Sequence, residues 1–237
     1  MKKLGAYTLV RPLGRGGFGQ TYLAQHSLLG TPACLKWAVH DWARPSLYQE
    51  ARVLWELHHA SLAGVRDLWI DSKLGPIVAM RFVAGPALTD QPPKDAHQVL
   101  CVLGRLLRGL RVLHHRGIVH NDIKPANIIL ESGGNNPVLV DFGVASSNPK
   151  KGSKASGFTP LYVAPELVLG QTPTPQSDLY SLAMTMLEWM GADLYRRQLP
   201  PMPRPLLRLL LEMGRSDPAL RQDPLAQISR LLDAVPA

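Results

Sequence analysis

The stretch VHNDIKPANIIL, residues 119–130, sets a short polar segment between apolar residues. Asp122, Lys124 and Asn127 fall within six positions of one another, with Ile128, Ile129 and Leu130 following directly. A second run, VLVDFG (residues 138–143), repeats the arrangement and places Asp141 at its edge. Acids at the ends of apolar runs sit where a short strand meets a loop, a common position for groups at the mouth of a cleft.

Working outward, the composition bounds what such a cleft serves. The chain has 237 residues, 46% hydrophobic and 19% charged, which reads as a folded protein able to bury a sizeable core. The formal net charge of +8 permits an anionic partner without specifying one. Arg105, Arg108 and Arg111 recur every third residue and read as the wet face of a helix. No aromatics interleave with them, so nucleic-acid binding is not expected. No apolar run reaches the roughly 18 residues of a membrane span, and Met1-Lys2-Lys3 lacks the apolar stretch of a signal peptide. The expectation is a cytoplasmic protein without a membrane anchor or regulatory tail. Cys34 and Cys101, too few for a disulfide scaffold, are expected as small buried apolar residues.

The first 85 residues are strand-rich. AYTLVRPLG, GQTYLAQHS, PACLKWAV and GPIVAMRFVAG are short apolar runs bounded mostly by glycine or proline. One helix interrupts them: PSLYQEARVLWELHH aligns Leu47, Ala51, Leu54 and Leu57, with Ser46 and Gln49 as a capping box. After Gly85 the pattern turns helical. Val99, Leu103, Leu106, Leu110 and Leu113 form one stripe, stopped at Gly117. QSDLYSLAMTMLEWMG is apolar nearly all round and predicts a buried helix ending at Gly191. Residues 146–157 read as a polar loop, and those after Gly191 leave room for two or three helices. The expected architecture is α+β and bilobal. A small antiparallel sheet with one helix (residues 1–84) is joined to a larger helical lobe (residues 85–237), with a ligand cleft between them.

These residue types fit the demands of phosphoryl transfer. Divalent metal needs hard oxygen ligands, here Asn127 and Asp141. An attacking hydroxyl must be oriented and its proton accepted, which suits Asp122. Lys124 can neutralise the transferring group. Lys36, in ACLKWAV, can hold the upstream phosphates if an acid fixes it, and Glu50 on the following helix is the candidate. Each has an ordinary alternative: Asp122 a loop cap, Lys36 a strand-edge lysine, Glu50 a solvated helix charge. The glycine-dense GRGGFGQTY (residues 14–22) can be a strand turn or a slim backbone against phosphates.

Together these elements resemble the eukaryotic-type (Hanks-type) serine/threonine protein kinases also found in bacteria, from Gly14 to about Arg221. GRGGFGQT resembles the glycine-rich loop, with Thr21 where valine is usual; ACLK resembles the lysine strand. HNDIKPAN resembles the catalytic loop, DFG (141–143) the metal-binding loop, and APE (164–166) the end of the activation segment. The resemblance implies ATP with Mg2+ or Mn2+, and protein substrates with Ser/Thr acceptors, as well as autophosphorylation. It makes Asp122, Lys124 and Asn127 catalytic, and Asn127 and Asp141 metal ligands. Leu13, Gly14, Gly16, Gly19, Thr21, Lys36, Glu50, Met80, Phe82 and Val83 would hold the nucleotide, with Met80 as gatekeeper and Arg81, Phe82 and Val83 as hinge. Asp178 would brace the catalytic loop, Arg221 would pair with Glu166, and Thr159 would contact the catalytic aspartate and lysine. His120 is expected in the core, and His114 and His115 at the surface.

One position departs from the family. Asn121 stands where most of these kinases have an arginine that pairs with a phosphate on the activation segment. Asparagine supplies no cation, so activity is expected not to depend on that phosphate in the usual way. Lys150, Lys151 and Lys154, with no acid in the same segment, fit either a solvated loop or attraction of an acidic substrate or regulator. A nucleotide-binding scaffold without transfer, or a small-molecule kinase of the aminoglycoside or choline type, are the competing functions.

Overall fold

The computed structural model describes residues 2–16, 19–132, 136–153, 157 and 159–234. Gly17 and Phe18 of the glycine-rich stretch, together with Lys154 and Ser156, lie outside the described residues. The chain forms two compact units, Met1–Val83 with Asp141–Gly143, and Ala84–Val140 with Val144–Ala237.

The first unit is a six-stranded antiparallel sheet with one helix. Its strands are β1 (Lys3–Leu4), β2 (Tyr7–Arg15), β3 (Gln20–His26) and β4 (Pro32–Trp37). Helix α1 (Arg44–Trp55) follows, then β5 (Val65–Asp71) and β6 (Gly75–Arg81), in the sheet order β1-β2-β3-β4-β6-β5. Alternation decides which side chains go where. Leu35 and Trp37 turn into an apolar cluster with Tyr7, Ala24, Ile77 and Ala79, where Trp69 stacks on Tyr7 at 5.7 Å. Cys34 and Lys36 therefore take the other face. Their direct partners are Leu23 and Thr21 on β3, and Met80 and Val78 on β6.

Helix α1 buries Leu47, Glu50, Ala51, Val53 and Leu54, and Leu57 is buried just beyond it. Its start differs from the expected capping box. The helix begins at Arg44 after a 3-10 turn over Asp41–Ala43, with proline in its first turn and no side-chain cap. The Ser46 hydroxyl instead donates to the Gly143 carbonyl. Strand β5 is an element the sequence reading does not register. It is an edge strand whose residues VRDLWID carry three charges and no fully buried side chain, so its apolar signal is weak.

The second unit contains α2 (Ala96–His115), β7 (Ile118–Val119), β8 (Ile128–Glu131), β9 (Asn136–Leu139), β10 (Ser146–Ser147), α3 (Pro165–Val168), α4 (Pro175–Trp189), α5 (Arg204–Met213) and α6 (Leu225–Ala234). The Asp95 carboxylate caps α2 by accepting from Gln98 N, and Gly117 leaves the helix at φ +70°. The stripe Val99, Leu103, Leu106, Leu110 and Leu113 is buried, while Arg105, Arg108 and Arg111 are exposed. Helix α4 opens on a capping box of Thr174 and Ser177, and is buried on most sides by Leu179, Leu182, Ala183, Met186 and Leu187. Two helices and a 3-10 turn follow Gly191, as the spacing predicts.

Two expectations need correction. Cys34 and Cys101 are half-buried rather than fully enclosed. His114 is not a surface residue: its side chain is 14% exposed and its Nε2 lies 2.9 Å from Asp178 Oδ2. Its neighbour His115 is exposed and His120 is fully buried. Among the described residues no helix is long and apolar enough to cross a membrane.

Candidate active site

In the first unit the lysine strand, the helix and the D-F-G tripeptide converge. Lys36 Nζ lies 2.6 Å from Glu50 Oε2 and 2.7 Å from Asp141 Oδ1. The Lys36 and Glu50 side chains are 8% and 0% exposed, whereas that of Asp141 is 50% exposed. Burial works against the charge on Lys36, but Glu50 and then Asp141 outweigh it and hold the ammonium above the ordinary lysine range. The second Glu50 oxygen accepts from Phe142 N at 3.1 Å, so one carboxylate fixes both the lysine and the backbone beside Asp141. Asp141 itself sits in the left-handed region at φ +62°. Such strain persists where surrounding contacts over-determine it, as they do here.

The described flanks of the glycine-rich stretch pair as antiparallel strands, Gly14 with Thr21 and Arg15 with Gln20. Gly16 N donates to Gly19 O at 2.9 Å, and Thr21 Oγ1 donates to Gly14 O at 3.2 Å. Gly19 is required by packing: a Cβ there would stand 2.6 Å from the Trp37 carbonyl oxygen. Around Gly16 a Cβ would meet nothing within 4 Å, so that position leaves open space. Leu13 is exposed on β2, Met80 and Val83 are buried, and Phe82 is half-buried. Cys34, Leu23 and Val78 share the Lys36 face of the sheet, a placement that counting in twos from Lys36 reveals and the motif reading passes over.

In the second unit the candidate residues Asp122, Lys124, Asn127 and Thr159 form one hydrogen-bonded group. Thr159 Oγ1 donates to Asp122 Oδ1 at 2.8 Å, and Lys124 Nζ lies 2.7 Å from Asp122 Oδ2 and 2.9 Å from Thr159 Oγ1. Asn127 Nδ2 donates to the Asp122 carbonyl at 2.8 Å and to its Oδ2 at 3.0 Å. This orients Asn127 so that its amide nitrogen is spent on Asp122 and its oxygen points elsewhere. The half-exposed Asp141 carboxylate of the first unit and the Asn127 amide oxygen of the second are each hard oxygen donors.

The loop carrying Asp122 is anchored from beneath. Asp178, fully buried on α4, accepts from His120 N at 2.9 Å and Asn121 N at 3.0 Å, besides its contact with His114. Thr185 Oγ1 donates to Ile123 O at 3.3 Å, and Val140 N to Asn127 O at 2.9 Å. Farther along, Arg221 grips Glu166 in a bidentate pair of 2.6 and 2.8 Å, both side chains nearly or wholly enclosed. Ser177 adds a third donor to Glu166, and the Arg221 guanidinium lies 4.9 Å from the centre of the Tyr180 ring. Tyr162 donates its hydroxyl to Glu188, and its backbone N to Thr159 O at 3.1 Å.

Comparison with known proteins adds independent evidence. Residues 7–199 match the family model described as protein kinase domain. The chain is 33% identical over 228 residues to serine/threonine-protein kinase Pkn1 of Myxococcus xanthus, covering 86% of this chain and 33% of that protein. It is 35% identical over 206 residues to the DNA damage-responsive serine/threonine-protein kinase RqkA of Deinococcus radiodurans, covering 81% of this chain and 29% of that protein. Against serine/threonine-protein kinase PkaB of Streptomyces coelicolor the identity is 30% over 273 residues, covering 99% of this chain and 64% of that protein. The chain thus spans less than two thirds of the length of each of these relatives. Members of this family use ATP and a divalent metal. With the family match covering most of its length, this chain belongs to the protein kinase domain family.

Proposed function

We propose that this domain transfers the γ-phosphoryl group of ATP to serine or threonine hydroxyls of protein substrates, and to its own. The observation that carries the proposal is the Asp122–Lys124–Thr159 triangle, an acid held for one orientation beside a cation. In the proposed reaction Asp122 orients the acceptor hydroxyl and takes its proton as the new oxygen–phosphorus bond forms. The bond from the γ-phosphorus to the bridging oxygen breaks, and ADP leaves. Lys124 offsets charge on the transferring group.

Asn127 and Asp141 would hold Mg2+ or Mn2+, which neutralises the phosphate oxygens when bound. Lys36, held by Glu50, would take the α- and β-phosphates. The backbone at Gly14, Gly16 and Gly19 would lie over the phosphates, while Leu13, Thr21, Met80, Phe82 and Val83 would hold the rest of the nucleotide. The working arrangement is one kinase domain over residues 1–237, in the cytoplasm. Lys150 and Lys151 are both exposed, which supports an acidic preference in the substrate.

Labelled ATP with one generic acidic and one generic basic protein tests the reading, with Asp122→Asn as control. Transfer by the wild type and its loss in Asp122→Asn is expected. Nucleotide binding without transfer would leave a scaffold; transfer only to a small-molecule alcohol would leave a metabolite kinase. An acidic preference predicts that raising salt weakens turnover of the protein substrate more than ATP binding.

A further inference from the structure

We infer that the Asn121 side chain staples the segment after Asp141–Gly143 onto the strand before Asp122, docking it without a phosphate. The functional consequence rests on the kinase reading; the staple itself does not.

The backbone pairing to be held is very short. Strands β7 and β10 share two residue pairs, Ser146 with Val119 and Ser147 with Ile118. So small an antiparallel ladder has too few hydrogen bonds to hold alone. One further backbone bond closes one end and the Asn121 side chain the other. At one end Asn148 N donates to Gly117 O at 2.7 Å. A Cβ at Gly117 would stand 2.0 Å from Asn148 Oδ1, so the carboxamide lies directly across the Gly117 Cα. At the other end Asn121, only 3% exposed, donates through Nδ2 to Val144 O at 3.0 Å and to Ser146 Oγ at 2.8 Å.

Both asparagines are left-handed, at φ +69° for Asn121 and +46° for Asn148. Asparagine is among the non-glycine residues that tolerate this backbone best. The choice of side chain also fits the chemistry. A carbonyl and a hydroxyl are neutral acceptors, which a neutral amide satisfies without a counter-charge. A guanidinium in that place would call for an anion. Asn121 is bonded through its own N–H to Asp178 and precedes Asp122 in the chain. It is therefore a positioning residue: it ties the docked segment, the buried helix and the proton acceptor together.

Amide hydrogen exchange at residues 144–148 and steady-state turnover, measured on the whole chain, test the inference. The proteins compared are wild type with and without phosphatase treatment, Asn121→Asp, Asn121→Gly and Ser146→Ala. Asn121→Asp removes the donor at constant shape, and about tenfold faster exchange is expected, with a similar increase in Asn121→Gly and a smaller one in Ser146→Ala. The kcat of Asn121→Asp should fall about tenfold with the KM for ATP within twofold, while dephosphorylated wild type keeps its turnover. Unchanged exchange in Asn121→Asp, or loss of wild-type turnover on dephosphorylation, overturns the inference. Should Asn121→Asp not fold, unchanged exchange in Asn121→Gly overturns it. A wild type that phosphorylates no protein would end the kinase reading, and the exchange comparison would still decide the staple.

Discussion

Lys36 and Glu50 form an enclosed ion pair, Nζ to Oε2 2.6 Å, in which the acid is wholly removed from solvent. Removing Glu50 leaves the buried Lys36 charge only the half-exposed Asp141 as counter-charge. Glu50→Ala is therefore expected to destabilise the fold by about 3–5 kcal/mol, measured by urea unfolding. The double variant Lys36→Met/Glu50→Leu should recover most of that stability and none of the phosphoryl transfer. Recovery of both would show that the pair serves only the fold. The Lys36 shift is upward, so its contribution is present throughout neutral pH and is lost only as pH rises through the elevated value.

Thr159 touches both Asp122 and Lys124, which places its hydroxyl in the proposed transfer group. Thr159→Ser is expected to retain turnover. Thr159→Ala should lower kcat about tenfold, and Asp122→Asn by about 10²–10⁴, each with little change in ATP binding. Initial-rate kinetics over a range of ATP concentrations separates these effects. Equal loss in Thr159→Ser and Thr159→Ala would contradict the assignment.

The pair of Glu166 and Arg221 governs acid stability. Burial raises the Glu166 carboxyl, but the Arg221 hydrogen bonds and charge outweigh it and leave the group below the ordinary glutamate value. A depressed acid contributes stability that is present above its unfolded value and lost as pH falls through the folded one. Thermal melts between neutral pH and about pH 3 should show a steeper acid decline in the wild type than in Glu166→Gln. Equal slopes would remove this pair from the account.

Cys34 offers a test of the sheet's buried face. Burial pushes its thiol up to about 12, with Lys36 opposing and Glu50 and Asp141 reinforcing. The thiolate is the reactive form, so alkylation at pH 8 should be slow and should accelerate about tenfold per pH unit. Mass spectrometry of iodoacetamide-treated protein follows it directly. Rapid modification at pH 8 would show that this face is open to solvent.

Much of the candidate site was legible because its residues carry unusual chemistry at fixed local spacings. Asp122, Lys124 and Asn127 lie on one loop, and the fixed offsets within it place all three side chains together. The strands bearing Lys36 and Met80 announced themselves by uninterrupted apolar runs. Edge strand β5 did not, because half-exposed strands tolerate charge. Nor did the start of α1: Ser46 and Gln49 have the right spacing for a cap, yet a preceding 3-10 turn moves the helix start and gives Ser46 a distant acceptor.

Local periodicity and side-chain chemistry made most strands and helices, the candidate catalytic loop and the lack of a cation at residue 121 readable in advance. Packing alone assigned the Asn121 amide its acceptors, drew His114 inward to Asp178 and brought three elements together at Asp141. Those outcomes depend on hydrogen-bond partners 23 to 105 residues away along the chain. Such partners are chosen by packing, which brings remote donors and acceptors to one point, and no local spacing encodes that choice.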